Sequence, residues 1–181
     1  LLGDNGGDLY NSGSLTFTSA GNVTITEDSS MLIEAASTGL GVSLTARGDI
    51  TQKVAATIIS TTASFTVDHW AIDSLDILLK TADNNVSGAV TFGGGTSMGD
   101  ELRDVEWRNV SVSALWPTTT MLITINDFTL EHTMTGITID KVLQLKNVNV
   151  PIGLNDDGDL SLWAGGGNIT QTQELIIPGK T

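Results

Sequence analysis

Short bursts of alternating apolar and polar residues, separated by Gly, Asn and Asp, are the feature that most constrains this fold. Successive side chains of a strand point to opposite faces, so each burst predicts a strand with one buried face. No stretch sustains the apolar spacing of three and four that a helix needs, and the sequence therefore predicts an all-β protein. The clearest bursts are residues 15–18 (LTFT), 23–26 (VTIT), 42–45 (VSLT), 65–67 (FTV), 123–125 (ITI) and 137–139 (ITI).

A repeated unit favours a stack of coils over other all-β architectures. Residues 17–24 (FTSAGNVT) align with residues 44–51 (LTARGDIT), and residues 162–170 (LWAGGGNIT) form a third copy with one inserted residue. Stacked coils share backbone hydrogen bonds and bury their inward side chains as one core. We therefore predict a right-handed parallel β-helix, a β-solenoid, with coils of roughly 20 to 25 residues. A β-sandwich of the extracellular type is the alternative, because irregular strand spacing also suits that fold.

The pattern extends along the chain with one interruption. At 181 residues, the sequence predicts a single β-solenoid segment over residues 1–181. The stretch 101–108 (ELRDVEWR) is far more charged and aromatic than the coils around it. We therefore expect a loop excursion from the stack at residues 93–116.

Composition excludes several classes of partner and site. With 21 Asp and Glu against 8 Lys and Arg, the formal net charge is -13, and no basic cluster is present to bind nucleic acid. The absence of cysteine rules out disulfides and thiolate metal sites. No apolar run reaches the roughly 18 residues of a membrane span, so we expect none.

Three stretches resemble the repeats of filamentous-haemagglutinin-type exoproteins. They are residues 44–52 (LTARGDITQ), 81–90 (TADNNVSGAV) and 166–172 (GGNITQT). Proteins of this family are long bacterial surface adhesins built on a right-handed parallel β-helix. The resemblance implies a stalk or adhesion role outside the cell, with no catalytic residues to carry over to this chain.

An acidic loop near the end of the chain is the best candidate for a metal site. Residues 155–159 (NDDGD) offer Asn155, Asp157 and Asp159 at alternate positions. Ca²⁺ takes several oxygen ligands, and a loop of alternating Asn and Asp can supply them. Residues 4–8 (DNGGD) are a weaker version of the pattern. Since neither stretch matches the EF-hand loop, a solvated turn is the competing interpretation, and we predict no other cofactor.

Histidines, tryptophans and threonines give no catalytic pattern. Neither His69 nor His132 has a partner at a recognised spacing, and no nucleotide-binding or hydrolase motif occurs, so we expect no enzyme. The tryptophans at positions 70, 107, 116 and 163 are expected to pack in the core rather than to stack on sugars. Thr-x-Thr pairs at residues 16–18, 24–26 and 133–135 resemble the ladders of ice-binding solenoids, but their irregular spacing argues against that function.

Three functions from different classes remain open. The first is a non-catalytic secreted or cell-surface segment that adheres to other proteins or glycans of a cell surface or matrix. The second is a subunit of an extracellular filament, in which copies of the chain join by β-strand pairing. The weakest is a polysaccharide-active β-helix enzyme, which would need paired carboxylates or a basic cluster on successive coils.

Overall fold

The computed structural model describes residues 13–68, 75–94, 102–119, 125–141, 143–145 and 159–176. Within these ranges the chain forms strands, turns and short connections, which confirms the all-β prediction. No helix in this part of the chain is long and apolar enough to cross a membrane. The strands are β1 (Val23–Glu27), β2 (Met31–Ile33), β3 (Ser37–Thr38), β4 (Gly41–Ala46), β5 (Ile50–Gln52), β6 (Ile58–Ser60), β7 (Thr62–Val67), β8 (Leu75–Val86), β9 (Val90–Gly94), β10 (Leu102–Asn109), β11 (Thr118–Thr119), β12 (Ile125–His132), β13 (Ile137–Ile139), β14 (Leu143–Gln144), β15 (Leu160–Ala164), β16 (Ile169–Gln171) and β17 (Leu175–Ile176).

Every strand pairing in the described ranges is parallel. The five-stranded sheet has the order β1-β4-β7-β9-β11, and the large sheet has the order β15-β12-β10-β8-β5-β2. A third row consists of β3, β6 and the end of β8, while β13 pairs with β16 and β14 with β17. Because sandwiches of the immunoglobulin type are antiparallel, this pairing argues against the sandwich alternative.

The chain visits the sheets in a recurring order. β1, β2 and β3 lie in the five-stranded sheet, the large sheet and the third row, and β4, β5 and β6 repeat that order. β7 and β8 repeat it again, since β8 continues from the large sheet into the third row. We call each such circuit a pass; β1 to β10 form the early passes and β11 to β17 the late passes. Each strand therefore lies beside its counterpart in the next pass.

The register of the passes differs from the sequence repeat. That repeat aligned residues 23–24 with residues 50–51, but Val23 pairs with Val42 in the five-stranded sheet. Ile50 pairs with Met31 and Ile77 in the large sheet. The aligned unit is therefore wrong as a structural register. What its copies share is a turn, because Gly followed by Asn or Asp precedes a strand in each copy, whichever sheet that strand joins.

Inward side chains of the two main sheets meet in a core with an aromatic centre. Phe65 and Phe92 of the five-stranded sheet lie 6.0 Å apart between ring centroids. Trp107 of the large sheet lies 5.5 Å from Phe65 and 6.1 Å from Phe92. Phe128 and Trp116 extend the cluster, with centroids 5.8 Å apart. These large rings fill the space between the sheets and contribute strongly to burial of apolar surface.

The prediction of a loop excursion at residues 93–116 is wrong for the central part of that segment. Leu102–Asn109 is strand β10, which pairs with β8 on one edge and β12 on the other. Its charges lie at the outer face, where Arg108 pairs with Glu131 at 2.7 Å, while Trp107 is fully buried. Alternation thus places charged and aromatic residues on opposite faces of one strand. Residues 95–101 lie outside the described ranges.

Polar side chains form one buried column inside the apolar core, comprising Gln52, Asn84, Asn109 and His132. Asn109 lies in register with Asn84 and with His132, and Asn84 exchanges hydrogen bonds with Gln52 at 3.0 and 3.2 Å. The amides bond to the backbone of nearby bends; Asn109, for example, accepts from Val86 N–H and donates to Val86 C=O. Hydrogen bonding of this kind removes the cost of burying polar groups.

Candidate functional site

The outer surface of the five-stranded sheet carries hydroxyl groups in two rows, which together we call the hydroxyl face. Register aligns the first row across all five strands and the second across β1, β4 and β7. Neighbouring strands lie about 4.8 Å apart, and alternate residues of a strand about 6.6 Å apart, so the hydroxyl spacing is regular in both directions. The rows are Thr24, Ser43, Ser64, Thr91 and Thr118, and Thr26, Thr45 and Thr66.

No charged side chain of these five strands reaches the hydroxyl face. Glu27 is the one acidic residue they contain, and it is buried, with 1% exposure, and accepts a hydrogen bond from Ser29. A shallow cavity of about 300 Å³ lies on this face, with Gly41 and Ala89 among its small lining residues. In a chain with a net charge of -13, the hydroxyl face is thus a neutral surface with hydrogen-bonding capacity.

The sequence argument against ordered threonine ladders does not hold for this sheet. Thr24 and Thr26 lie in register with Ser43 and Thr45, which in turn align with Ser64 and Thr66. Two of these three pairs were missed because they begin with Ser. A search for Ser or Thr at alternate positions would have found them. Their uneven spacing along the chain reflects connections of different length between evenly stacked strands.

A second feature runs along the large sheet, where an Asp precedes the inward apolar residue of five successive strands. We call Asp49, Asp76, Asp104, Asp127 and Asp159 the aspartate column. Backbone N–H groups of Asp76, Asp104 and Asp159 donate to the carboxylate of the preceding column member at 2.9, 3.2 and 2.7 Å. These carboxylates therefore join consecutive passes where their strands begin.

Asp76 is the most buried member of the aspartate column. Burial raises the pKa of its carboxyl above the usual value, while hydrogen bonds from Arg103 oppose that change. Arg103 Nε donates to Asp76 Oδ1 at 2.9 Å, and its terminal nitrogen bonds to Oδ2. The carboxylate raises the pKa of the Arg103 guanidinium in turn. The two side chains form an ion pair.

An acidic groove of about 540 Å³ lies at the late end of the aspartate column. Asp104, Glu106, Asp127 and Asp159 line it together with Thr129 and Ser161. Carboxylates on successive strands are one requirement set above for a polysaccharide-active enzyme. The carboxylate of Asp127 is nevertheless used as an acceptor for a strand N–H, and Glu106 pairs with Lys80 at 3.2 Å. These contacts favour a role in holding the strands together.

The predicted calcium loop is covered only in part by the described ranges. Asn155 and Asp157 lie outside them, whereas Asp159 is described, is exposed and lines the acidic groove. Its C=O accepts from Phe128 N–H at 2.9 Å, so the residue is joined to β12 through both backbone groups. In the described part of the chain no three His, Asp or Glu residues form a group suited to a metal ion. The calcium site stays a prediction.

The structure places two of the tryptophans and one of the histidines in the interior. Trp107 and Trp116 are buried, as predicted, but Trp163 is 51% exposed at the late end. His132 is fully buried at the end of the polar column. His69 and Trp70 lie outside the described ranges.

Comparison with known proteins adds no relative: no family model, no curated protein and no solved structure matches this chain.

Proposed function

We propose that this chain is a non-catalytic segment of an extracellular or cell-surface adhesion protein, which binds its partner through the hydroxyl face. Regular hydroxyl rows without charge are the observation that carries the proposal. The proposal extends to the architecture: the passes are coils of a right-handed parallel β-helix.

Three observations support the coil interpretation. Successive passes pair in parallel, which satisfies backbone groups between neighbours. Inward apolar residues of consecutive passes, such as Leu44 and Phe65, lie in register and are fully buried. The aspartate column repeats one polar contact from pass to pass. A stack in which each unit contacts its neighbours is the organisation of repeat proteins.

Glycans are the partner that best fits the hydroxyl face. Sugar hydroxyls can both donate to and accept from Ser and Thr hydroxyls. The lack of charge on the face spares a neutral glycan the cost of stripping water from ions. The resemblance to adhesin repeats points to the same class of partner and to proteins of a cell surface or matrix.

A pair of matched double variants tests this function. Ser43→Lys with Ser64→Lys places two charges in the first hydroxyl row, on adjacent strands. Thr138→Lys with Thr170→Lys is the control, because these two exposed threonines also lie on adjacent strands, β13 and β16, and bond to each other at 3.3 Å. Both variants change the net charge equally. We expect the first to weaken binding to glycan arrays and immobilised matrix proteins at least about tenfold, or ~1.4 kcal/mol, and the control to bind normally.

Equal binding by both variants, or no ligand for the native chain, would refute adhesion through this face. Thermal hysteresis is measured on the same samples, because regular hydroxyl rows also resemble those of ice-binding solenoids. Hysteresis that only the Ser43 and Ser64 variant loses would redirect the proposal from glycans to ice.

Filament formation is the second candidate, and the edge of the large sheet formed by β15 favours it. Within the described ranges β15 pairs on one edge only, with β12, and its inward Leu162 remains partly exposed. A strand from another copy could add to that edge by β-augmentation. Negative-stain electron microscopy separates the two candidates: uniform long fibres would support the filament, and isolated short rods the adhesion segment.

A further inference from the structure

We propose that His132 makes the late passes sensitive to acid: protonation of its ring loosens the contact between β12 and β15, while the early passes stay closed. The proposal concerns stability and does not depend on the ligand of the hydroxyl face.

His132 is buried at a place where the second nitrogen of its ring has no acceptor for a proton among the described residues. The ring lies in register between Asn109 of β10 and Ala164 of β15, and the residue is 0% exposed. Its Nδ1 lies 3.3 Å from the carbonyl oxygen of Gly136. A carbonyl can only accept, so Nδ1 carries the hydrogen and Nε2 is the unprotonated nitrogen. Nε2 is buried and has no hydrogen-bond partner in the described part of the chain.

Protonation would convert Nε2 into a buried cationic donor without an acceptor. A buried charge that lacks a partner is costly, and the chain can avoid that cost by opening the site to water. To open the site to water, the turn that follows β12 must separate from β15. Gly165 N–H, which donates to the His132 carbonyl at 2.8 Å, belongs to the same contact.

Charged groups around the site are already paired or point elsewhere. On the outer face, Glu131 pairs with Arg108 at 2.7 Å, and Arg108 also lies 3.6 Å from Asp83. Glu106 of β10 pairs with Lys80. The strands above and beside the ring, β13 (ITI) and β15 (LSLWA), contain no ionisable residue. No carboxylate among these neighbours faces the ring to stabilise its cation.

The direction of the pH effect follows from burial. Burial lowers the pKa of His132 below its usual value of 6.5, and the Gly136 hydrogen bond opposes this only in part. As the pH falls below that value, the unfolded chain takes up a proton that the folded chain does not. Stability is therefore fully present above the ordinary histidine pKa and is lost as the pH falls below it. The loss stops growing once the folded ring is protonated too.

Hydrogen exchange of the full chain, measured at about pH 8 and about pH 5, tests the proposal, since histidine charge changes in this interval. After correction for the intrinsic pH dependence of exchange, we expect protection to fall at least about tenfold at residues 125–141 and 159–176. Residues 41–67 should keep their protection. His132→Asn continues the amide column without a titratable group and should remove the difference, whereas His69→Asn is the matched control and should retain it.

An equal acid response in the native chain and His132→Asn would overturn the proposal, as would uniform loss of protection along the chain. If His132→Asn does not fold, NMR titration of the native His132 ring decides the matter. A ring that stays neutral to below the ordinary histidine pKa, with exchange broadening at β15 as it protonates, supports the proposal. A ring that titrates at or above the ordinary value refutes it.

Discussion

The early and late passes use the same strand pattern but differ in how completely they are covered. Trp107 of β10 has paired strands on both sides and is fully buried. In β15 the outward Trp163 is 51% exposed, and the inward Leu162 is only partly buried. Covered on both sides, an alternating strand contributes its full burial energy, whereas an end strand contributes part of it. We therefore expect the effect of a core substitution on stability to depend on whether its strand is central or at the edge of the sheet.

The polar column shows the same contrast. In the early passes Asn84 and Asn109 are amides whose bonds close bends in the chain, and neither titrates. In the late passes the corresponding position is His132, with one buried nitrogen left without a partner in the described ranges. Along the polar column, the side chain thus changes from an amide, which does not titrate, to an ionisable histidine. The three predictions below test how far this difference extends.

Trp107→Ala has the largest expected effect. Removing a fully buried ring that contacts Phe65 and Phe92 leaves a large cavity and should cost about 3 to 5 kcal/mol. Trp163→Ala, the matched change at the exposed end, should cost less than about 1 kcal/mol. Urea unfolding of both variants measures the difference. Similar losses at the two positions would show that the late passes are as well covered as the early ones.

Asn109→Ala should cost about 3 kcal/mol, because it leaves the N–H groups of Val86 and Ser111 and the Val86 carbonyl unsatisfied in a buried place. Asn85→Ala is the control, since that side chain is exposed and follows Asn84 directly. Thermal unfolding gives both values. A small effect at Asn109 would mean that water can replace these bonds. The polar column would then be no more rigid in the early passes than in the late passes.

Asp127→Ala has the smallest expected effect, about 1 kcal/mol, because it removes one carboxylate acceptor from a strand start. The backbone bond lost across the strands is the one from Asp159 N–H at 2.7 Å, so faster amide exchange should be greatest at the start of β15. Asp127→Asn retains an acceptor oxygen and should behave like the native chain. Exchange that increases in β4 or β7 as well would contradict a local role for the aspartate column.

The candidate surfaces could be read from sequence only in part. Asp159 was found as part of an acidic loop, but its alignment with Asp127 was missed. The signal was present, since Asp-apolar-x-apolar occurs at Asp76, Asp104, Asp127 and Asp159, and Asp49 also precedes an apolar residue. For the hydroxyl face, Thr24 and Thr26 were noticed, while Ser43 and Ser64 were not. The buried position of His132 had no sequence signal, because its neighbours in space lie in other passes.

What the sequence by itself determined is the strand as a local unit. Alternation along residues such as 42–45 is enough to predict one buried and one wet face, because it follows from the geometry of a single strand. Which strands pair, and which side chains align across them, was decided only by the tertiary structure. Val23 pairs with Val42 and Ile50 with Ile77 because connections of different lengths still have to bring inward side chains together. Register is a property of the packed parallel sheets, and no single stretch of the chain contains it.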